Sequence, residues 1–372
     1  MKNILFIFGT RPEVIKIFPI INAMRCYPND YNVILCNTGQ QKELSAQALN
    51  MFNICANYNL SVMKENQSLE ETQNTILSKL SELLSNIKTD AIIVQGDTLS
   101  AFCGALSGFY KKIPVFHVEA GLRTNDIREP FPEESYRKMI SCIATLHFAP
   151  SIFSKKNLLK ENICKKNIHV TGNTIVDTLK FMEDCFSENA IKKLKHKGID
   201  FQTKNILVTS HRRENQDKKL LSILNAIKKL SKENVDYNFI IPVHPNPNFK
   251  NVIYNELADI KNVKLFQPLD YDELIYLIKK CCLVMTDSGG IQEEASSLGI
   301  PLVIMRNKTE RQEVLKLSNV KLAGTDTETI YKDSKILLKN KYKPTSENNL
   351  RTIYGDGTAS IKIEKIIRSF FN

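Results

Sequence analysis

Short apolar runs recur along the whole chain, separated by longer stretches in which apolar residues return at helical spacing. Strand-length runs alternating with helix-length stretches predict parallel strands joined by crossover helices, an α/β class. In the first half the runs are NILFIFG, YNVILCN, AIIVQGD, IPVFHVE, TLHFAP and NIHVTG. Residues 183–204 break the rhythm, being charged and without a strand pattern. The alternation then restarts with NILVTSH, NFIIPVH, VKLFQPL, LVMTDSG and PLVIMR. Two Rossmann-like, doubly wound units facing a central cleft are the architecture this restart predicts.

Ligands of such sheets collect at the carboxyl ends of the strands. The unusual polar clusters fall there: GTRPE after the first run, then QGDT, HVEAGLR, SHRREN, PVHPNPN and TDSGG. Any one of them reads equally well as a plain helix cap. Together, drawn from both halves, they make a shared binding cleft the better account.

Composition narrows the class. At 372 residues the chain is long enough for two domains of ordinary size. No run approaches the ~18 apolar residues a membrane span needs, so a soluble protein with no membrane partner is expected. MKNILFIFGTRPE reads as a first strand and not a signal peptide, because no small-residue cleavage site follows its short apolar run. Nine cysteines without C-x-x-C spacing favour reduced thiols in a cytoplasm. The net charge of +11 admits nucleic acid as a partner. The Lys-rich segments KKNLLKENICKKN and KKLKHKG read instead as solvated helix faces and loops, with no interleaved aromatic residues, so no nucleic acid is expected.

Within the clusters, GTRPEVIK opens a helix through a Thr10–Glu13 capping box, with Pro12 in the first turn where its missing N–H costs little. Arg11 and Lys16 add positive charge where the helix dipole is already positive, which points to an anion that receives them. Without G-x-G-x-x-G spacing no nicotinamide cofactor is indicated. Asp97, Glu119 and Glu133 stand at strand ends or in the loop after one, with His117, Arg123 and Arg137 close by. Asp97 and Glu119 follow apolar runs directly, where burial tunes a carboxyl toward proton transfer. Glu129 and Glu134 read as surface salt-bridge residues. In the second half His211 and His244 follow the runs NILVTS and NFIIPV. A lone histidine at a strand end is more often a core residue bonded to backbone. Beside the Ser288-Gly289-Gly290 turn, whose bare N–H groups suit phosphate oxygens, a place near a diphosphate is the stronger reading. No metal is expected, since neither H-E-x-x-H nor paired Cys–His spacing occurs.

Taken in order, FGTRPEVIK, NTGQ, QGDT, HVEAGLRT, PFPEE, LHFAP, VTGNTIVDTL, HRREN, PVHPNP, PLDY, TDSGGIQEEASSLGIP, TER and YGDG run the length of the chain. Through these motifs it resembles the non-hydrolysing UDP-N-acetylglucosamine 2-epimerases, which are related in fold to GT-B glycosyltransferases. The resemblance implies a UDP-N-acetyl amino sugar held without a cofactor between two domains. The first is 1–170, completed by a C-terminal helix over 356–372; the second, 171–355, binds UDP. A homodimer is implied, as is reversible C2 epimerisation by anti elimination of UDP through 2-acetamidoglucal, supplying surface polysaccharide precursors. By position in the motifs, Asp97, Glu119 and Glu133 match the family's acid/base residues and His211 the histidine at the diphosphate. Arg11 and Lys16 match nucleotide- and phosphate-side contacts, Ser288, Gly289 and Gly290 the phosphate turn, Glu294 the ribose hydroxyls, and Arg311 a further charged contact. Arg137 and His244 fall on the substrate side, and Leu269 and Leu274 beside uridine. Glu293 stays a helix-face residue.

Some positions depart from the family pattern. Many relatives read TGQH followed by Arg where this chain has TGQQK, which alters a second, regulatory nucleotide-sugar site implied at Gln40, Gln41 and Arg212. Tyr136 stands where Asn is usual, and KTERQE replaces TTERPE. Changes beside the sugar pocket leave room for a hydrolysing 2-epimerase that releases ManNAc and UDP, or a 2-epimerase of a modified UDP amino sugar. A GT-B glycosyltransferase and a silent UDP-sugar sensor are the more distant alternatives.

Overall fold

The central apolar runs become strands buried on both faces, as the inner strands of a parallel sheet must be; AIIVQ, for example, has no exposed position. The computed structural model describes residues 1–64, 67–185, 187–212, 215–340 and 353–372. These fall into two compact units, Met1–Thr178 with Tyr354–Asn372, and Leu179–Ile353.

The first unit contains β1 (Lys2–Phe8), β2 (Tyr31–Asn37), β3 (Tyr58–Asn59), β4 (Ala91–Gln95), β5 (Val115–Val118), β6 (Leu146–Ala149) and β7 (Ile168–Val170). They pair in parallel in the order β3-β2-β1-β4-β5-β6-β7. Between them run α1 (Arg11–Arg25), α2 (Lys42–Met51), α3 (Leu69–Asn86), α4 (Leu99–Tyr110), α5 (Glu133–Ile143) and α6 (Ile152–Lys160), and α7 (Thr174–Cys185) follows β7. The second unit opens with α8 (Ser187–His196) and holds β8 (Lys204–Thr209), β9 (Tyr237–Pro242), β10 (Val263–Phe266), β11 (Cys281–Thr286), β12 (Leu302–Ile304) and β13 (Val320–Leu322). Its parallel order is β10-β9-β8-β11-β12-β13. Its other helices are α9 (Lys218–Glu233), α10 (Pro247–Leu257), α11 (Tyr271–Lys280), α12 (Gly289–Ser297) and α13 (Thr327–Lys339). The last helix, α14 (Ala359–Phe371), belongs to the first unit.

Every apolar run named above forms a strand. The two strands the pattern misses, β3 and β13, are two and three residues long, too short to show a periodicity. The charged stretch over 183–204 is also more than solvated helix. Lys193 and Lys197 of this stretch bond to acids at the start of α11, Lys193 to Asp270 at 2.9 Å and Lys197 to the fully buried Glu273 at 2.6 and 2.7 Å.

Two polar contacts tie helix backbones into the first unit. Pro19 lies inside α1 and has no N–H to give the carbonyl of Ile15. The hydroxyl of buried Thr178 supplies the missing donor at 2.7 Å. Asp177, one residue earlier on α7, caps α14 by accepting from the amides of Ala359 (3.2 Å) and Ser360 (2.9 Å) and from the Ser360 hydroxyl (2.5 Å). Among the described residues no helix is long and apolar enough to cross a membrane.

Candidate active site

In each sheet the strand order reverses direction once, between β1 and β4 in the first unit and between β8 and β11 in the second. Such switch points open a crevice beyond the strand ends, where the diverging loops leave backbone groups exposed. The polar clusters are gathered at these two places.

At the first, Glu13 is completely buried. Its Oε2 accepts from the amides of Gly9 (3.0 Å) and Thr10 (2.8 Å) and from the Thr10 hydroxyl (2.8 Å). Its Oε1 accepts from the Thr98 hydroxyl at 2.7 Å, so one carboxylate joins the start of α1 to the turn after β4. Burial pushes the Glu13 carboxyl up to about 7, against the pull of all these donors. The same turn is held from its other side. Gly96, at φ 70°, takes a left-handed conformation that suits glycine, and its carbonyl accepts from His117 Nε2 at 2.7 Å. Burial drives His117 down to about 3, so the ring is neutral. Asp97 sits between these anchors.

Two cations meet the strand-end carboxylates. Lys16 of α1 bonds to Glu119, which follows β5 with φ at 65°, an uncommon backbone state for a non-glycine residue. Arg137 of α5 reaches Asp97 through Nη2 at 2.5 Å and Glu134 through Nη1 at 2.9 Å. Glu134 is therefore no surface residue. It is fully buried and also accepts from the amides of Thr124 (3.1 Å) and Asn125 (3.0 Å), fixing the loop before α5. Glu133 is the first residue of α5. Arg123 is likewise buried, its Nε and Nη2 donating to Glu161 at 2.8 and 2.7 Å, which ties the loop after β5 to the end of α6. Tyr136, one of the departures from the family pattern, stacks on Phe102 at 5.1 Å within the hydrophobic core. Gln40 accepts from Ser100 Oγ at 2.8 Å, and Gln41 accepts from the amide of Arg11 at 3.2 Å.

At the second switch point, Asp287 directly follows β11 and is completely buried. Sequence reasoning passed over it, although an acid directly after an inner strand was the available signal. It accepts from the Ser210 hydroxyl (3.0 Å), the amides of His211 and Arg212 (both 3.1 Å) and Asn215 Nδ2 (3.0 Å). His211 stacks on His244 with ring centroids 5.9 Å apart, and burial lowers the His244 pKa. Arg212 Nη2 lies 4.0 Å from Glu310. Ser288 occupies the N-cap position of α12 without a side-chain cap bond.

Gly289 and Gly290 serve different ends. A Cβ on Gly289 would lie 2.5 Å from Arg311 Nη1, whereas one on Gly290 would meet nothing within 4 Å. Arg311 is held there by Glu293, 2.6 Å from its Nε, and by Glu310. Glu293 is thus a fully buried ion-pair partner and not a solvated helix-face residue. Glu294, Leu269 and Leu274 are also buried. Among the described residues no group of three or more His, Cys, Asp or Glu is placed to hold a metal.

Two parallel sheets, each with its charged groups at a switch point, define a GT-B-like α/β protein. The family profile of UDP-N-acetylglucosamine 2-epimerases matches residues 26–368. The chain belongs to that family. It is 41% identical to a UDP-N-acetylglucosamine 2-epimerase of Campylobacter jejuni over 99% of this chain and 97% of that one. The crystal structure of the Neisseria meningitidis UDP-GlcNAc 2-epimerase bound to UDP-GlcNAc superposes with a TM-score of 0.92 at 40% identity, covering 99% of this chain and all of the other. The Methanocaldococcus jannaschii enzyme in complex with UDP-GlcNAc and UDP gives 0.85 at 32% identity, covering 100% and 99%.

Proposed function

We propose that this protein interconverts UDP-N-acetylglucosamine and UDP-N-acetylmannosamine by inverting C2. The observation that carries the reading is the pair of carboxylates, Asp97 and Glu119, at the ends of adjacent strands, each met by one buried cation. The C2 proton is not next to a carbonyl and is weakly acidic. Breaking the C1–O bond first sends its electron pair to the UDP oxygen and leaves positive charge beside C2. A carboxylate then takes the proton, and the C2–H electrons form the C1=C2 bond of 2-acetamidoglucal. Return of a proton to the opposite face of C2 and of UDP to C1 completes the inversion.

Asp97, Glu119 and Glu133 supply the acid and base groups and stabilise the cationic stage. His211 assists departure of the diphosphate. Ser288, Gly289 and Gly290 receive the diphosphate at the N-terminus of α12, Glu294 the ribose hydroxyls, and Leu269 and Leu274 flank uridine. Arg11, Lys16, Arg137, His244 and Arg311 complete the charged surroundings. Free thiols at all nine cysteines support a reducing, cytoplasmic setting, and the family resemblance supports a homodimer. Incubation with UDP-GlcNAc in deuterated water, followed by NMR, tests the proposal. Deuterium at C2 of both UDP-sugars is expected. No uptake refutes epimerisation, and free ManNAc accumulating in step with UDP establishes the hydrolysing alternative instead. Sigmoidal dependence of the rate on UDP-GlcNAc that Gln41→Ala abolishes would support a regulatory site at Gln40, Gln41 and Arg212.

A further inference from the structure

Asp287 lies immediately before the Ser288-Gly289-Gly290 turn, yet its hydrogen bonds go elsewhere. The carboxylate receives the Ser210 hydroxyl, the amides of His211 and Arg212, and Asn215 Nδ2, all between 3.0 and 3.1 Å. Its own amide donates to the carbonyl of Thr209 at 3.3 Å. Asn215 passes the constraint on, since its Nδ2 also donates to the carbonyl of Met305 at 3.1 Å, beside the end of β12. Beneath this, Thr286 Oγ1 lies 2.6 Å from Thr209 Oγ1 and accepts from the Ser288 amide at 2.9 Å. The end of β8, the end of β11 and the start of α12 are thereby locked to one another. His211 Nδ1 stands 3.6 Å from Asp287 Oδ1, and the ring packs on His244.

All four donors reach Oδ2, while Oδ1 also receives the His211 amide at 3.1 Å and faces the His211 ring; an amide that kept its oxygen on the four donors would turn its NH2 group toward the His211 amide, so the carboxylate matters at His211 in particular. We infer that Asp287 is a positioning residue that fixes the backbone and ring of His211 against the diphosphate turn, acting through His211 and not by touching substrate. The inference rests on the reading of His211 as the group beside the UDP leaving group. With the carboxylate 3.6 Å from Nδ1 on one side and His244 stacked on the ring, the ring orientation is set, leaving Nε2 to serve the diphosphate.

The test is a double-mutant cycle on the full-length enzyme with Asp287→Asn, His211→Ala and the pair, reading kcat and KM for UDP-GlcNAc and UDP binding by calorimetry. Asp287→Asn is expected to lower kcat on the order of 10–100-fold with a much smaller change in UDP affinity. It should add nothing in the His211→Ala background. Ser210→Ala, which loosens one bond while keeping the carboxylate, serves if Asp287→Asn fails to fold, and a smaller kcat loss that also vanishes without His211 is expected. Effects that multiply in the double mutant, or a loss shared equally by kcat and UDP affinity, overturn the positioning role alone. Full kcat in His211→Ala itself overturns both this role and the reading of His211 on which it rests.

Discussion

Arg137 bridges Asp97 and Glu134, with Nη2 2.5 Å from the first carboxylate and Nη1 2.9 Å from the second. The two acids differ in setting: Asp97 keeps a quarter of its side chain exposed, while Glu134 keeps none. Removing the guanidinium therefore costs most at Glu134, which is left as a buried charge. Its two backbone donors soften the loss without cancelling it. Arg137→Met is expected to destabilise the fold by about 3 kcal/mol in urea unfolding. Arg137→Met combined with Glu134→Gln should recover much of that, whereas a loss unchanged in the pair would show that the side-chain stem and not the charge stabilises α5.

Thr178 and Pro19 make a second separable pair. The Thr178 hydroxyl satisfies the Ile15 carbonyl that Pro19 strands inside α1. Thr178→Val keeps the shape and removes the donor, so a loss of about 1–2 kcal/mol is expected. Pro19→Ala restores a donor within the helix. In that background the cost of Thr178→Val should shrink to a few tenths of a kcal/mol, measured by the same unfolding curves.

Two buried groups flanking Asp97 give opposite pH dependences. Burial raises the Glu13 carboxyl from 4.5 to about 7, so the folded chain binds this proton more tightly than the unfolded one. The corresponding stabilisation is complete below pH 4.5 and lost as pH rises to about 7. The unfolding free energy of the native protein minus that of Glu13→Gln should fall by about 3 kcal/mol across that window. His117 runs the other way. Its pKa drops from 6.5 to about 3, so its contribution is present above pH 6.5 and disappears as pH falls toward 3. His117→Asn should flatten the acid side of the stability profile and leave the Glu13 window in place.

The strands were legible because an inner parallel strand must be apolar on both faces, and β3 and β13 escaped because two or three residues carry no period. The glycine turn and the Thr10–Glu13 box were legible because their partners lie within one turn of helix. Burial of a carboxylate was not. Glu293 is bonded to Arg311 and Asp287 to the amide of His211, partners that are 18 and 76 residues away and that only the closed sheet brings into reach. Local pattern places an acid near a strand end or helix start, and it leaves undecided whether that acid meets water, a cation or backbone donors.

Gly289 and Gly290 look equivalent in sequence, and the space around them says they are not. Both occupy the first turn of α12, where alanine is the better helix former by about 1 kcal/mol. At 290 an added Cβ meets nothing within 4 Å. Gly290→Ala should therefore leave thermal stability unchanged or raised while weakening UDP binding, because the methyl intrudes on the face where the amides are proposed to meet the diphosphate. At 289 the Cβ falls 2.5 Å from Arg311 Nη1 and 2.9 Å from its Cζ. That guanidinium cannot swing aside without abandoning Glu293 and Glu310, two buried acids. Gly289→Ala should then cost about 1–3 kcal/mol of stability as well as UDP affinity. Trimming the obstacle separates the causes: Gly289→Ala with Glu293→Gln frees Arg311 to move, and the added cost of the alanine should fall. Equal losses of stability at 289 and 290 would show that the Arg311 contact is not what demands glycine.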